Sequence, residues 1–241
     1  MNKLMDHLIN RQELIHQMNY LYNLEHVERK NVDIELKKLR KRCIEYLELF
    51  PEDFEFNILY AIAEYVSFGG LYDSMEDLKK IVLQKPDYSE AILLLAYIIY
   101  VWETFDEDTF ELVKSINSSD KEIMSLRELF MGYYYQKNCN DEKAEECFIE
   151  SIKLCNSYVQ NYIDLGELYK QEGKDKEAKE LIIAGLENLQ KVHSGESPDI
   201  INIQKFFDIY ITQKDSHEVI LENLQKKYDI DFKDKIEQLK H

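Results

Sequence analysis

The chain has 241 residues, with only 7 Gly and 3 Pro, and its 47 Asp and Glu outnumber its 30 Lys and Arg to give a net charge of −17. This length allows one extended repeat domain or two small domains. The scarcity of Gly and Pro disfavours a turn-rich β protein, so we expect an all-α protein. The negative charge opposes binding to nucleic acid and to anionic membranes, and it favours a partner of basic character.

Composition also limits where the chain functions and which cofactors it holds. No apolar run approaches the roughly 18 residues of a membrane-spanning helix, and residues 1–7 lack the apolar stretch of a secretory signal. We therefore expect a cytoplasmic protein without a membrane association. None of the four cysteines forms a C-x2-C pair, so reduced thiols are expected rather than zinc ligands or disulfides. The cysteines are Cys43, Cys139, Cys147 and Cys155.

The amino-terminal third predicts helices that lead into a repeat. Apolar residues at helical spacing predict one long helix or two short ones over residues 3–30, and a further helix that Pro51 ends. Residues 1–51 would thus form N-terminal helices, a degenerate first hairpin. Pro86 follows Pro51 by 35 positions, which favours a helical hairpin over residues 54–88.

Three further hairpins are predicted over residues 89–124, 125–158 and 159–192, which extends the repeat region to residues 52–192. Asp120 is the expected N-cap of a helix in this region. The last two hairpins share one pattern at an offset of 34 positions. The recurring residues are Gly132, Tyr135, Ala144 and Phe148 in the first copy, and Gly166, Tyr169, Ala178 and Ile182 in the second.

This pattern has a physical reason. Gly and Ala at matched positions let the two antiparallel helices of a hairpin approach closely. Gly173 can adopt the positive φ that ends a helix, and Cys139 stands at its position in the first copy. Because one hairpin cannot bury its apolar face alone, neighbouring hairpins are expected to stack.

The second copy contains Tyr162-x2-Leu165-Gly166-x2-Tyr169, followed by Gly173 and Ala178. It resembles the tetratricopeptide repeat (TPR), whose pattern is Trp-x2-Leu-Gly-x2-Tyr, a turn Gly and a later Ala. Tyr162 stands where the family usually has Trp. The resemblance implies a right-handed superhelix of TPR-like hairpins.

After a break at residues 193–198, the chain predicts a C-terminal helical hairpin and cap over residues 197–241. Ser197 as N-cap and Pro198 at the first helical position restart a helix. A second helix is expected over residues 216–228. A final amphipathic segment over residues 232–239 would cap the open end of the stack, since an end cap needs a polar outer face.

The TPR resemblance also implies a binding surface, because the first helix of each hairpin lines the concave groove of that family. Tyrosine suits such a surface by combining a large apolar area with one hydroxyl group. Alternatively, some of these side chains pack between helices, or the N-terminal helices fill the groove. The positions that would face the groove are Tyr60, Glu64, Glu90, Leu93, Tyr97, Tyr100, Leu129, Tyr133, Gln136, Gln160, Glu167 and Lys170.

No catalytic or metal-binding constellation emerges from the sequence. The six histidines are scattered, and HExxH, phosphate-cradling Gly-rich loops and nucleophile elbows are missing. We therefore expect no enzymatic activity, no metal and no cofactor. The inner positions carry Tyr, Leu, Gln and Glu rather than the Lys and Asn with which some family members bind chaperone tails, so a co-chaperone role is not expected.

The basic run of residues 37–42 has two interpretations. It predicts a solvated face whose cations pair with carboxylates such as Glu35 and Glu45, or a surface for an acidic partner or RNA, which the net charge disfavours. For the whole chain we expect a scaffold that binds a protein or peptide. The alternative is a dedicated cognate binder, such as a bacterial-type immunity protein or secretion chaperone, that masks a basic client.

Overall fold

The computed structural model describes residues 2–102, 105–187, 199–212, 224 and 226–228. Their regular structure is helical without strands, which confirms the all-α prediction. The helices are α1 (Asn2–His26), α2 (Asp33–Leu49), α3 (Phe54–Ala63), α4 (Leu71–Gln84), α5 (Ser89–Trp102), α6 (Glu107–Ser115), α7 (Lys121–Lys137), α8 (Asp141–Leu154), α9 (Val159–Gln171), α10 (Asp175–Glu187) and α11 (Ile203–Phe206). π-Helical segments follow α3 at Glu64–Phe68 and α11 at Phe207–Thr212.

Acidic and amide side chains begin several of these helices. The carboxylate of Asp120 accepts a hydrogen bond from the backbone N–H of Glu122 at 2.8 Å, which confirms the predicted N-cap of α7. Asp53 caps α3 in the same way, and Asp106 caps α6. Such caps satisfy backbone N–H groups that the first turn of a helix leaves without a partner.

The turns of the last two hairpins share one backbone conformation although their residues differ. Gly173 has φ +78°, and Cys139, at the equivalent position, has φ +55°. In both turns the following N–H donates to the carbonyl of a tyrosine five residues earlier, Asn140 to Tyr135 and Lys174 to Tyr169, each at 2.9 Å. The repeat therefore conserves a left-handed turn that a cysteine occupies only at the cost of strain.

The chain divides into two compact units, Met1–Glu103 with Gly195–Phe206 (unit 1) and Thr104–Ser194 with Phe207–His241 (unit 2). This division differs from the one predicted at residue 51 and between residues 192 and 197. In unit 1, α1 is one continuous helix that joins the following helices. Arg11 on α1 donates to Asp53, the N-cap of α3, at 2.9 Å, so the N-terminal helices belong to the same core as α3.

In unit 2, close contacts hold the two helices of each hairpin together. A β-carbon on Gly132 of α7 would lie 2.4 Å from the ring of Phe148 on α8, and one on Gly166 of α9 would lie 2.8 Å from Ile182 Cδ1 on α10. Gly185, which the sequence pattern did not single out, is equally confined, because its β-carbon would lie 2.5 Å from Tyr162 Cβ. The small residues are therefore required by contact.

The C-terminal helix of unit 1 begins later than predicted. The side chain of Asn202 accepts a hydrogen bond from the N–H of Lys205 at 3.0 Å, and the helix starts at Ile203. Residues 199–202 are not helical, so the chain does not continue as a helix from Pro198. Ser197, Pro198 and the predicted cap at 232–239 lie outside the described residues, and of the predicted helix 216–228 only residues 224 and 226–228 are described, as helix.

Gly132→Ala is expected to lower the free energy of unfolding by about 1–3 kcal/mol, because the buried ring of Phe148 cannot move aside. Gly166→Ala should cost less, since the end of a flexible isoleucine can move. The preference of alanine for a helix, about 1 kcal/mol, acts at both positions and does not change this order. Urea denaturation followed by circular dichroism measures both. An equal or larger loss for Gly166→Ala would show that the contact between α7 and α8 is not the tighter constraint.

Cys139→Gly is expected to stabilise the protein by about 1 kcal/mol, because glycine adopts the left-handed conformation of this turn without steric strain. Cys139→Ala is the matched control, since it removes the thiol but keeps a β-carbon. Thermal denaturation compares the three proteins. If both variants raise the melting temperature equally, the thiol rather than the backbone conformation is responsible.

Candidate protein-binding face

In unit 1, the side chains predicted to face a groove lie on α3, its π-helical extension and α5. Four of them are buried, with Tyr60 at 3% exposure, Glu64 and Leu93 at 0% and Tyr97 at 6%. Glu90 and Tyr100 on α5 are half-buried. The expectation of an open, tyrosine-lined surface is therefore corrected for most of these positions.

Glu64 forms a buried ionic link between helices. One of its carboxylate oxygens accepts a hydrogen bond from Arg40 Nε of α2 at 2.7 Å and another from the hydroxyl of Tyr60. Its second oxygen accepts none from the described residues. A β-carbon at residue 70 would come within 2.1 Å of this oxygen, so any larger residue there must displace the carboxylate of Glu64.

This environment changes the role of Glu64. Burial raises the pKa of its carboxyl group, while the hydrogen bonds from Tyr60 and Arg40 oppose that rise. Burial, followed by the hydrogen bond to Glu64, raises the pKa of the Tyr60 hydroxyl. Enclosed and paired with Arg40, the carboxylate cannot attract a partner from solution as the sequence had implied.

Tyr97 is covered by the chain's own C-terminal segment. The ring of Phe206 meets Tyr97 edge-on at a centroid distance of 5.5 Å and Tyr65 at 5.8 Å. Phe206 is completely buried, and Ile201 N–H donates to Asn19 of α1 at 2.8 Å. The sequence had offered the N-terminal helices as one possible cover of these positions, whereas at Tyr97 the cover is the segment 199–206.

In unit 2, Tyr133 of α7 and Gln160 of α9 converge on one carboxylate. Tyr133 donates its hydroxyl hydrogen to Asp164 at 2.6 Å, and Gln160 Nε2 donates to the other oxygen of Asp164 at 2.7 Å. Tyr133 and Leu129 are buried, at 4% and 0% exposure, and Gln160 is 9% exposed. Sequence reasoning missed Asp164, although its place one helical turn after Gln160 put it on the same face.

The remaining predicted residues of unit 2 are more accessible. Gln136, Glu167 and Lys170 are half-buried. Glu167 accepts a hydrogen bond from Lys227, whose carbonyl oxygen accepts one from Lys170. Lys170 Nζ also lies 4.7 Å from the centre of the Tyr228 ring. C-terminal residues of the chain therefore lie on α9, as Phe206 lies on Tyr97 in unit 1.

The basic run of residues 37–42 forms the predicted solvated face at two of its lysines but not at Arg40. Lys38 pairs with Glu35 at 2.8 Å and Lys41 with Glu45 at 3.7 Å on the surface of α2, which confirms the solvated face for these lysines. Arg40 instead binds the buried Glu64. The sequence could not indicate this, because the two residues lie on different helices.

Solved structures resemble this arrangement, although no family model and no curated protein matches the sequence. PilF of Pseudomonas aeruginosa is 14% identical, with a TM-score of 0.57 over 96% of this chain and 99% of that one. TTC0263, a thermophilic TPR protein of Thermus thermophilus, is 19% identical, with a TM-score of 0.54 over 75% and 92%. The fold is that of a TPR-like helical repeat. MamA of Desulfovibrio magneticus RS-1 is 14% identical, with a TM-score of 0.52 over 71% and 94%.

The described part of this TPR-like chain has neither a membrane-spanning helix nor a metal-binding cluster. No described helix combines the length and the hydropathy needed to cross a bilayer. Within the same residues, no cluster of three or more His, Cys, Asp and Glu side chains could hold a metal ion.

The cysteines differ in accessibility and in acidity. Burial raises the pKa of the Cys43 thiol to about 12 and that of the Cys147 thiol to about 12, in the latter case with help from the neighbouring Glu128. Both thiols are therefore protonated at neutral pH and poor nucleophiles. Cys139 is exposed at the turn after α7.

A thiol reagent such as 5,5′-dithiobis(2-nitrobenzoate) at neutral pH should label Cys139 in the folded protein and leave Cys43 and Cys147 unmodified until denaturant is added. Mass spectrometry of peptides identifies the labelled sites. The Cys139→Ala variant is the control and should lose the rapid phase. Fast labelling of Cys43 in the native protein would contradict its burial.

Tyr97→Ala is expected to lower the free energy of unfolding by about 3 kcal/mol or more, because it removes a buried ring that contacts two other aromatic rings. Tyr100→Ala, one turn later on α5 and half-buried, should cost markedly less. Thermal and urea denaturation of both variants test this difference. If Tyr97→Ala is as stable as the unsubstituted protein, Tyr97 is not part of the core.

Proposed function

We propose that this protein is an interaction scaffold that binds another protein or peptide of basic character by docking, without chemistry, on the first helices of its hairpins. One observation carries the proposal. In unit 1 this side of the hairpins already holds a chain segment, because Phe206 is completely buried and its ring packs against Tyr97 of α5 and Tyr65. A surface that binds its own segment through apolar and aromatic contacts has the chemistry to bind a segment of a partner.

The places where a partner can make contact follow from exposure. In unit 1, Glu90 and Tyr100 remain half-buried on α5 while Leu93 and Tyr97 are enclosed. In unit 2, Gln136 on α7 is the corresponding half-buried position. Each unit therefore offers a polar edge beside its buried aromatic residues. A partner would contact these half-buried side chains first, and the buried tyrosines would support them by packing underneath.

The expected partner is basic because the chain carries a net charge of −17. A negative field of this size accelerates the encounter with a positively charged protein and weakens as salt screens it over about 8 Å at physiological ionic strength. Glu90 is the acidic group that the half-buried edge of unit 1 contributes. The field acts on the rate of association more than on the lifetime of the complex.

The same charge supports a second candidate function. A dedicated cognate binder, such as an immunity protein or a secretion chaperone, would use an acidic surface to mask one basic client. Affinity capture followed by mass spectrometry separates the two functions. Several clients of different kinds favour a general scaffold, whereas one dominant basic client favours the dedicated binder. Captured nucleic acid in place of protein would contradict both.

The double variant Glu90→Lys with Tyr100→Ala is expected to weaken capture of a basic client by about tenfold, since it removes a charge and an aromatic contact from one edge. Its matched control is Glu52→Lys with Tyr72→Ala, which changes the same residue types at exposed positions outside this face. Surface plasmon resonance on the captured client measures both. Equal binding by the two variants would place the contact elsewhere.

A further inference from the structure

A groove in unit 1 lies between α2 and α4, with residues of α3 also in its lining. Its volume is about 450 Å³. Ile44 and Leu47 of α2 and Ile81 of α4 supply apolar surface, and Asn57 and Tyr60 of α3 also line it. Ile81 and Tyr60 are 3% exposed, whereas Ile44 is 42% exposed. The groove thus has a packed floor and an apolar wall that solvent reaches.

The rim of this groove is acidic. Four carboxylates line it against two cations. Arg40 pairs with Asp73 and with the buried Glu64. Lys80 lies 2.8 Å from Asp77 and Lys79 lies 3.0 Å from Glu76, both pairs within α4. Among the described residues, Glu48 is the groove carboxylate without an ion pair. The carboxylates are Glu48 on α2 and Asp73, Glu76 and Asp77 on α4.

The ion pair between Arg40 and Asp73 also determines the shape of the groove. Since it joins α2 to α4, it closes the groove at the beginning of α4. The remaining length runs past Ile44 and Leu47 towards Gln84, with Glu48 on one helix and Glu76 on the other. An entering segment therefore meets apolar side chains in the centre and negative charge on both sides.

We infer that this groove is a docking surface for a segment of another protein that presents large apolar side chains flanked by Lys or Arg. The apolar wall of Ile44 and Leu47 selects against a purely charged tail, and the carboxylates select against acidic segments and nucleic acid. A second copy of this chain is disfavoured by charge repulsion, because each copy carries −17. The inference does not depend on binding at Glu90 and Tyr100 of α5, which do not belong to the lining of this groove.

A peptide of 14 residues, the length of α4, tests the groove directly. The probe carries a fluorescein label and leucines at helical spacing between lysines, and its control has glutamates in place of the lysines. Fluorescence anisotropy should show saturable binding of the lysine peptide that weakens as salt is added, and no binding of the glutamate peptide. Equal binding of both peptides, or no saturable binding of the lysine peptide, would overturn the inference.

Variants on α2 then locate the site. Ile44→Asp and Glu48→Lys should each weaken binding of the lysine peptide by about tenfold. Their controls on the same helix, Leu49→Asp and Glu45→Lys, should change it by less than about twofold. All four side chains are exposed, so melting temperatures should stay close to that of the parent protein. Equal losses in variants and controls would overturn the site.

The double variant Glu90→Lys with Tyr100→Ala separates this inference from the proposed function. It should bind the lysine peptide as the parent protein does. If this double variant loses the lysine peptide while the variants on α2 still bind it, the peptide binds at α5 and not in the groove. Light scattering tests whether a second copy of this chain occupies the groove instead. If the parent protein is a dimer and Ile44→Asp makes it a monomer, the groove is a dimer interface and the inference is overturned.

Discussion

In the described hairpins of unit 2, a glycine on one helix lies against a bulky side chain of the other helix. At Gly132 a β-carbon would lie 2.4 Å from Phe148, and at Gly185 it would lie 2.5 Å from Tyr162. Such contacts join two helices into a hairpin but leave the outer apolar surface of each hairpin unburied. Because a hairpin cannot bury that surface alone, it must be covered by a neighbour or by another part of the chain.

C-terminal residues of the chain provide part of that cover in each unit. In unit 1, Phe206 fits between Tyr65 and Tyr97. In unit 2, Lys170 of α9 lies over the ring of Tyr228. Aromatic side chains of this kind can pack against a partner or against the chain itself, since burial of apolar surface is favourable in both cases. Residues with the composition of a binding surface therefore became core, and only the polar edges beside them remain half-buried.

Charge is divided between structure and surface. The buried Glu64 compensates Arg40 and ties α2 to the π-helical segment after α3, and it projects little field because its charge is paired. Along the α2–α4 groove, Asp73, Glu76 and Asp77 are also paired, but these pairs are exposed or half-buried, where solvent weakens them. Glu48 is exposed and has no ion pair among the described residues. A net charge of −17 thus says little about where a partner binds until the paired and unpaired carboxylates are distinguished.

The amino-acid sequence by itself determined the helical hairpins, the TPR-like pattern, the N-cap Asp120 and the equivalence of the turns at Cys139 and Gly173. These features depend on backbone sterics and on contacts within one hairpin, which spacing along the chain records. Only the tertiary structure decided that Tyr97 and Glu64 are enclosed, and that Arg40 is a structural cation. Those outcomes rest on contacts between different elements. Arg40 and Glu64 are 24 residues apart, and the segment that covers Tyr97 is held by a bond from Ile201 to Asn19, 182 residues away. Helical periodicity carries no information about contacts at such separations.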